Sequence, residues 1–484
     1  MESKKLSFNI KLILRDTLRH WPIWAIPMVL YLLSVTGFQG LFSYQDTEKF
    51  IENVLEQLSG TSEFFSIVFG LVAAYAAFGF QGSKKKTSFY EVLPMNRLSL
   101  FINRFLFGYL LLFIPNLFIF IVENTQAVVI CGGSRFLSLL CWLLVNAAQN
   151  LFWFSLGILF MVICGRILMA GVCYLAFSIL GLVLEYSFAV YSIFMYLGFS
   201  SIVSPADVAD LGIISPLEYL FDSGILRYES PFGIDGSYGA TKLATTFIAF
   251  AVLIVIAYIL YSKRKSERTG DNIVFPFMKT VISCCFAFVF SLDLTMFIVG
   301  ILLYNKTGMA HSAGGRICIA VMLGIFGFIG YIIATMIIEK KFKVFKKFSF
   351  KAAVFALVLV IFSVLYMHDI FGLEKRVPDT YDVEYCRIIS DEFSNDNNYF
   401  RSVEGKKMSE ENKEVIIGLH KLIMENFDEL IRDDSKYNEW ENRISFEYYM
   451  KNDKNIYREY YINPDGELHK KISAYVERYP NYFN

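Results

Sequence analysis

The chain has 484 residues, 55% hydrophobic and 17% aromatic, with only 19% charged. Its 45 basic and 45 acidic residues balance, and the mean hydropathy is positive at +0.46. A soluble chain of this length carries more charge and breaks its apolar runs sooner, so the composition excludes an ordinary soluble globular protein. Of the eight cysteines, most (Cys141, Cys164, Cys173, Cys284, Cys285, Cys318) lie in apolar segments, and no CxxC pair occurs. They read as small buried hydrophobes rather than a disulfide framework or zinc site.

The amino-terminal stretch "FNIKLILRDTLRHW" sets Phe8, Leu12 and Leu18 against Lys11, Arg15 and Arg19. That pattern predicts an amphipathic helix over residues 1–20, lying in the interface plane against anionic lipid and leading into the first span at Trp21. A hydrocarbon core of about 30 Å needs about 20 apolar residues per helix. Runs of that kind lie near 21–41, 62–80, 101–122, 136–164, 167–188, 242–262, 279–303, 317–338 and 351–369. The first is too long and too far from the start for a cleaved signal peptide. About nine transmembrane helices are therefore predicted. The apolar segment 189–202, followed by Pro205 and Pro216, reads as a re-entrant or interfacial piece rather than a tenth crossing.

Lysine and arginine set the expected orientation. With the N-terminus in the cytoplasm, the clusters Lys4–Arg19, Lys84–Arg97, Arg166, Lys263–Arg268 and Lys340–Lys351 all fall inside. The opposite loops hold only scattered bases such as Lys49, Arg227 and Lys306. An odd number of spans then leaves the polar tail outside.

Between the second and third runs sits "QGSKKKTSFYEVLPMNRLSLF", residues 81–101. Three lysines open it, Pro94 divides it, and Phe89, Tyr90, Val92, Leu93, Leu98 and Phe101 thread it with apolar surface. A short apolar helix bearing charges is a docking element for another protein; the plainer reading is a surface loop whose aromatics rest among lipid headgroups.

Polar residues inside spans are costly and therefore informative. Asn146, Gln149 and Asn150 share one helical face and line either a pathway or a subunit seam, or simply hydrogen-bond neighbouring helices. Glu185 falls near the outer end of its span, where snorkelling to the interface explains it equally well. Asp293 sits inside the seventh run, with Lys279 or Arg316 as candidate neighbours.

The tail, residues 371–484, is rich in Asp, Glu, Asn and Tyr. Ser409 followed by "EENKEVIIGLHKLIMENFDELI" predicts a capped helix with Ile416, Leu419 and Ile423 on one face. "RISFEYYM" and "NIYREYYI" alternate at period two around "KNDK", as a β-hairpin does, and a short helix is expected over 467–478. A small extracytoplasmic α+β domain results. His420 and His469 could approach one another there, but packing or surface roles account for both.

No catalytic or metal site is legible. "VEGKKMS" has a Gly-Lys pair without the preceding glycine or strand of a phosphate loop, so the chain is not expected to hydrolyse ATP or to be an enzyme. Its five histidines lack ligand spacing.

The amphipathic start, the basic "SKKKTSFYEVLPMNRLSLF" loop, the Gly165–Arg166 turn and the segment holding "SPLEYLFD" together resemble the membrane subunit of bacterial ABC-2-type ABC transporters. In such permeases the loop commonly reads "SKKT…FYxSLPxSRxxLF". The resemblance implies a six-span permease core over residues 21–268, three additional spans over 269–370, and the tail as an extension. It also implies a cytoplasmic ABC ATPase as partner, with ATP and magnesium held there and no cofactor in this chain. A second permease subunit would complete a homo- or heterodimer in the bacterial cell membrane. Phe89, Tyr90, Glu91, Leu93, Pro94 and Arg97 would then be coupling contacts. Export of an amphipathic substrate (an antimicrobial peptide, drug or lipid) is the implied function, with no nucleic acid involved. The alternative is a membrane-anchored receptor or envelope assembly factor whose tail binds a ligand or partner. An ion-coupled transporter would rest on Glu185 and Asp293 alone, without an inverted repeat to support it.

Overall fold

A computed structural model describes residues 10–39, 47–92, 95–131, 136–199, 216–217, 236–303, 311–342, 345–370, 372–390, 410–430, 443–451 and 455–479. Helices dominate. In chain order they are α1 (Ile10–Arg19), α2 (Trp21–Gln39), α3 (Thr47–Phe78), α4 (Lys84–Val92), α5 (Arg97–Cys131), α6 (Phe136–Ile163), α7 (Ile167–Met195), α8 (Gly236–Lys263), α9 (Pro276–Leu303), α10 (Ala313–Glu339) and α11 (Phe345–Met367). Among the described residues, eight helices are long and apolar enough to cross a membrane: Gly60–Gly82, Arg97–Val129, Phe136–Ile163, Ile167–Met195, Leu243–Lys263, Pro276–Leu302, Gly314–Glu339 and Phe350–Met367. The first predicted span corresponds to α2, whose described apolar stretch, Trp21–Ser34, is shorter than these. In hydrocarbon a helix is favoured because it satisfies every interior backbone group within the segment.

The segment 189–202, expected to re-enter or lie at the interface, is described only to residue 199 and does not begin as a separate element. Residues 189–195 continue α7, because no glycine or proline intervenes before Gly198. Only there does the chain turn, with Gly198 at φ +85°.

Two compact units emerge, residues 1–180 with 215–279 and residues 181–214 with 280–484. In the first, α3 and α6 pack closely through small residues. Ala73, Ala74 and Ala77 are fully buried, and a Cβ on Gly157 would stand 2.7 Å from that of Ala74. Such contacts let helix backbones approach where lipid supplies no hydrophobic drive between helices. The turn between α6 and α7 is as short as expected. Val274 N–H donates to the Ile163 carbonyl at 2.9 Å and Gly270 N–H to Gly165 at 3.0 Å, so the two backbones lie against each other. A Cβ on Gly165 would collide with the Asp271 carbonyl, which fixes glycine there.

In the second unit, Tyr191, Met195, Leu292, Met296, Ile319 and Leu323 form a buried cluster joining α7, α9 and α10. The tail adds β1 (Val383–Ser390), α12 (Glu410–Glu425), β2 (Arg443–Met450), β3 (Asn455–Tyr461) and α13 (Glu467–Arg478). Its sheet is antiparallel in the order β1-β2-β3. The predicted helix and hairpin are present, with Ile416, Leu419 and Ile423 buried against Ile444, Phe446 and Tyr448. Strand β1 escapes the sequence pattern because a bulge between Val383 and Tyr385 resets its alternation.

Leu197 joins the tail core, and the Glu459 N–H on β3 donates to the Gly198 carbonyl at 3.0 Å. The contact satisfies an edge-strand donor that would otherwise be open. Nearby, Glu374 accepts from the Leu197 N–H at 2.9 Å and pairs with Arg316 at 3.2 Å. Burial raises the Glu374 carboxyl above its ordinary range, against the lowering effects of the Leu197 N–H and Arg316.

His420 lies fully buried, stacked 4.7 Å from Phe446, with its Nδ1 2.8 Å from the Tyr448 hydroxyl and its Nε2 2.9 Å from that of Tyr460. Desolvation, aided by Arg458, depresses the imidazole to about 3. The unfolded chain takes up a proton near pH 6.5 that the folded one refuses until about pH 3, so tail stability is full above that window and falls as pH drops through it. The slope from this group is at most about 1.4 kcal/mol per pH unit. Melts of the full-length protein followed by near-ultraviolet circular dichroism should show that loss, and His420→Phe should flatten it. An equal pH dependence in the variant would exclude His420 as its source.

Candidate functional site

The chain leaves α3 through a tight turn of 3₁₀ helix, Gly79–Gly82, before α4 begins. Glycine is required at 82 because a Cβ there would lie 2.7 Å from Ile167 Cγ1. Thr87 Oγ1 donates to the Phe80 and Ser83 carbonyls at 3.1 and 3.0 Å, folding α4 back against the turn. The Tyr90 ring packs against Phe80, tilted by 47° with centroids 4.3 Å apart, and its hydroxyl accepts from Arg104 Nη2 at 2.6 Å. Arg104 in turn pairs with Asp16 of α1 at 3.2 Å. The far side of α4 is open: Phe89 is 65% and Val92 84% exposed.

The six expected coupling residues therefore divide. Phe89 presents apolar surface outward. Tyr90 anchors the helix to its own chain, as does Arg97, whose Nη1 donates to the Ser262 carbonyl at 2.6 Å. Glu91 falls within α4, while Leu93 and Pro94 lie outside the described residues.

Beneath this helix sits a residue that the charge pattern hides. Arg264 was grouped with its neighbours as one more basic loop residue, yet it is 7% exposed. Its guanidinium lies 2.7–3.2 Å from five oxygens: both Gln81 carbonyls, backbone and side chain, and the backbone carbonyls of Met161, Val162 and Cys164. Those backbone carbonyls belong to the end of α6 and the residue after it, where a helix leaves acceptors unpaired and carries partial negative charge. Burial lowers the group to about 10, so it stays cationic at neutral pH. The signal available in sequence was only its place directly after a span; nothing distinguishes it there from Lys263 or Lys265.

The intramembrane polar residues behave differently from one another. Asn146, Gln149 and Asn150 are all buried to 4% exposure or less. Asn150 Nδ2 donates to Asn146 Oδ1 at 2.8 Å, and Asn146 reaches Ser66 of α3 and the Tyr31 hydroxyl of α2 at 3.3 Å each. Trp142 Nε1 extends the group by donating to Ser62 at 3.0 Å. Among the described residues Asn146 thereby ties α6 to α2 and α3. Glu185 is buried rather than snorkelling outward. Asp293 is exposed and accepts from Ser187, in a groove of about 530 Å³ lined by Leu182, Tyr186, Met296 and Phe297. Arg316, expected as a neighbour of Asp293, pairs with Glu374 instead. Among the described residues no group of three or more His, Cys, Asp or Glu could hold a metal ion.

No protein-family model, curated protein or solved structure matches the chain.

Replacing Arg264 with Met leaves five buried acceptors facing an apolar side chain. The expected cost is about 3 kcal/mol or more, since each stranded polar group costs about 1–3 kcal/mol. Arg264→Lys should recover only part of it, because one ammonium cannot span two separated backbone stretches. Heating followed by fluorescence-detected size exclusion measures both variants; an unshifted melting profile for Arg264→Met would contradict the assignment.

Proposed function

We propose that this chain is the permease subunit of an ABC-2-type exporter, driven by a cytoplasmic ATPase encoded separately. The observation that carries the reading is α4: a nine-residue helix clamped on one side by Tyr90, Thr87 and Arg104, with Phe89 and Val92 bare on the other. A rigidly mounted helix with an apolar outer face suits a partner that pushes on it. Counting α2 gives nine crossings, an N-terminus in the cytoplasm by the lysine and arginine distribution, and an extracytoplasmic tail. On this reading ATP-driven closure of two ATPases would press α4 of each permease subunit. Arg97 and Arg264 would carry that displacement to the ends of α6 and α8, shifting the balance between inward and outward states. ATP and magnesium would be bound by the partner, and an amphipathic molecule would be the cargo.

A photo-crosslinking amino acid at Phe89 or Val92, in native membranes, should capture an ABC-type ATPase identified by mass spectrometry. Phe89→Glu and Val92→Glu should each cut ATPase co-purification at least tenfold while leaving the melting temperature of the permease unchanged. Tyr90→Ala should lower both, because Tyr90 is part of the clamp. Undiminished co-purification in both glutamate variants would refute the docking role of α4.

A further inference from the structure

We propose that the cavity between α1 and α4 binds the phosphate headgroup of an anionic phospholipid. The proposal rests on the membrane placement of the chain and on nothing about an ATPase.

The cavity encloses about 480 Å³ where α1, α3, α4 and α5 meet. Arg19, Lys85, Lys86 and Arg104 line it against a single carboxylate, Asp16. That carboxylate is already engaged by Arg104 at 3.2 Å. Arg19, Lys85 and Lys86 are exposed and have no ion-pair partner among the described residues. His20 adds a ring whose Nδ1 donates to the Asp16 carbonyl at 2.8 Å, leaving Nε2 outside that bond. A concave site with such an excess of cations raises the local concentration of anions, and guanidinium and ammonium groups together recognise phosphate oxygens.

Why a lipid, rather than any soluble phosphate? The answer lies on α1. Ile13 and Thr17 face the protein at 5% and 3% exposure, whereas Ile10, Leu14 and Leu18 form a bare stripe at 61%, 52% and 68%. Lys11, Arg15 and Arg19 run alongside that stripe and are exposed too. An apolar stripe beside a cationic one is the geometry of a helix lying in the headgroup region, its apolar face among the upper acyl chains. Tyr75 and Gly79, at the end of one long apolar helix, and Arg104, near the start of the next, also line the cavity. It therefore opens at headgroup depth, beside the surface on which acyl chains would lie. Phosphate in the cavity and acyl chains along Leu14 and Leu18 make one continuous ligand. Basic pockets at the ends of spans recognise lipid headgroups in this way.

The test uses the full-length chain alone, in detergent micelles doped with phosphatidylglycerol or phosphatidylcholine, with bound lipid counted by native mass spectrometry. Phosphatidylglycerol should be retained and phosphatidylcholine lost. The variant Arg19→Gln/Lys85→Gln/Lys86→Gln should retain at least tenfold less phosphatidylglycerol than the control Lys263→Gln/Lys265→Gln/Lys341→Gln, which removes equal charge outside the cavity and outside α1. Equal losses in both variants would reduce the effect to diffuse electrostatics and overturn the site. Retention of inorganic phosphate with the same variant dependence, without phosphatidylglycerol, would assign the cavity to a soluble anion instead. Independently of the variants, a photoactivatable phosphatidylglycerol should label α1 and α4 peptides of the unsubstituted chain; labelling spread evenly over interfacial peptides would also overturn the proposal.

Discussion

One guanidinium organises the first unit. Arg264 stands directly after α8, fills the carboxyl end of α6 and grips the turn from which α4 hangs. Its oxygen partners are backbone carbonyls and the Gln81 amide, so the charge is balanced by partial charges at a helix end rather than by an acid. That choice has a consequence. A carboxylate partner can swing away with its side chain, but carbonyls at the end of a packed helix move only if the helix moves. Gln81, Met161 and Arg264 are therefore held in one geometry, and Arg97 ties the start of α5 to the same place through the Ser262 carbonyl. The ends of four helices and the base of α4 share a single fixed point.

From that point α4 acquires two distinct sides. Toward the protein it is held by the Phe80–Tyr90 ring contact, a threonine bond to the Phe80 carbonyl and the Tyr90–Arg104–Asp16 relay. Toward solvent it offers Phe89 and Val92, and Phe89 together with Lys85 and Lys86 borders a cationic cavity. Separation of duties along nine residues explains why the stretch mixes charge and apolar surface so densely. The mixture is incoherent as a loop but consistent once each residue has a side to face.

Much of this was legible in sequence because membrane helices and hairpins announce themselves by long or alternating apolar patterns. The long apolar runs, the glycine turn at 165, the helix after Ser409 and the β2–β3 hairpin all follow from local chemistry. Three features did not. Strand β1 lost its alternation to a bulge at Val383. The end of α7 reads in sequence as a separate piece because nearby prolines outweigh the uninterrupted run to Met195. Arg264 looked like any juxtamembrane base, since its worth depends on carbonyls about a hundred and more positions away in the chain. Local pattern reports which residues can be buried; it does not report which polar partners converge on them.

The polar residues within the long helices make the same point energetically. Asn146 forms hydrogen bonds to Ser66 of α3 and Tyr31 of α2 at 3.3 Å each, while Asn150 donates to it at 2.8 Å from within α6. Contacts of this type contribute on average about 0.6 kcal/mol, with some reaching about 2 kcal/mol. Such residues hold a bundle together without any pathway being needed. Asp293 obeys a different economy, since it stands exposed on a span with a serine hydroxyl as its hydrogen-bond partner. A carboxylate at the centre of a spanning helix costs about 2.5–3.5 kcal/mol on insertion scales. One hydrogen bond to a charged group, at about 1.5–3 kcal/mol net, offsets only part of that. The same apolar setting thus makes Asn146 a structural tie, whereas Asp293, and Glu123 with its buried Oε1 unpartnered among the described residues, carry a cost that hydrogen bonding does not fully balance.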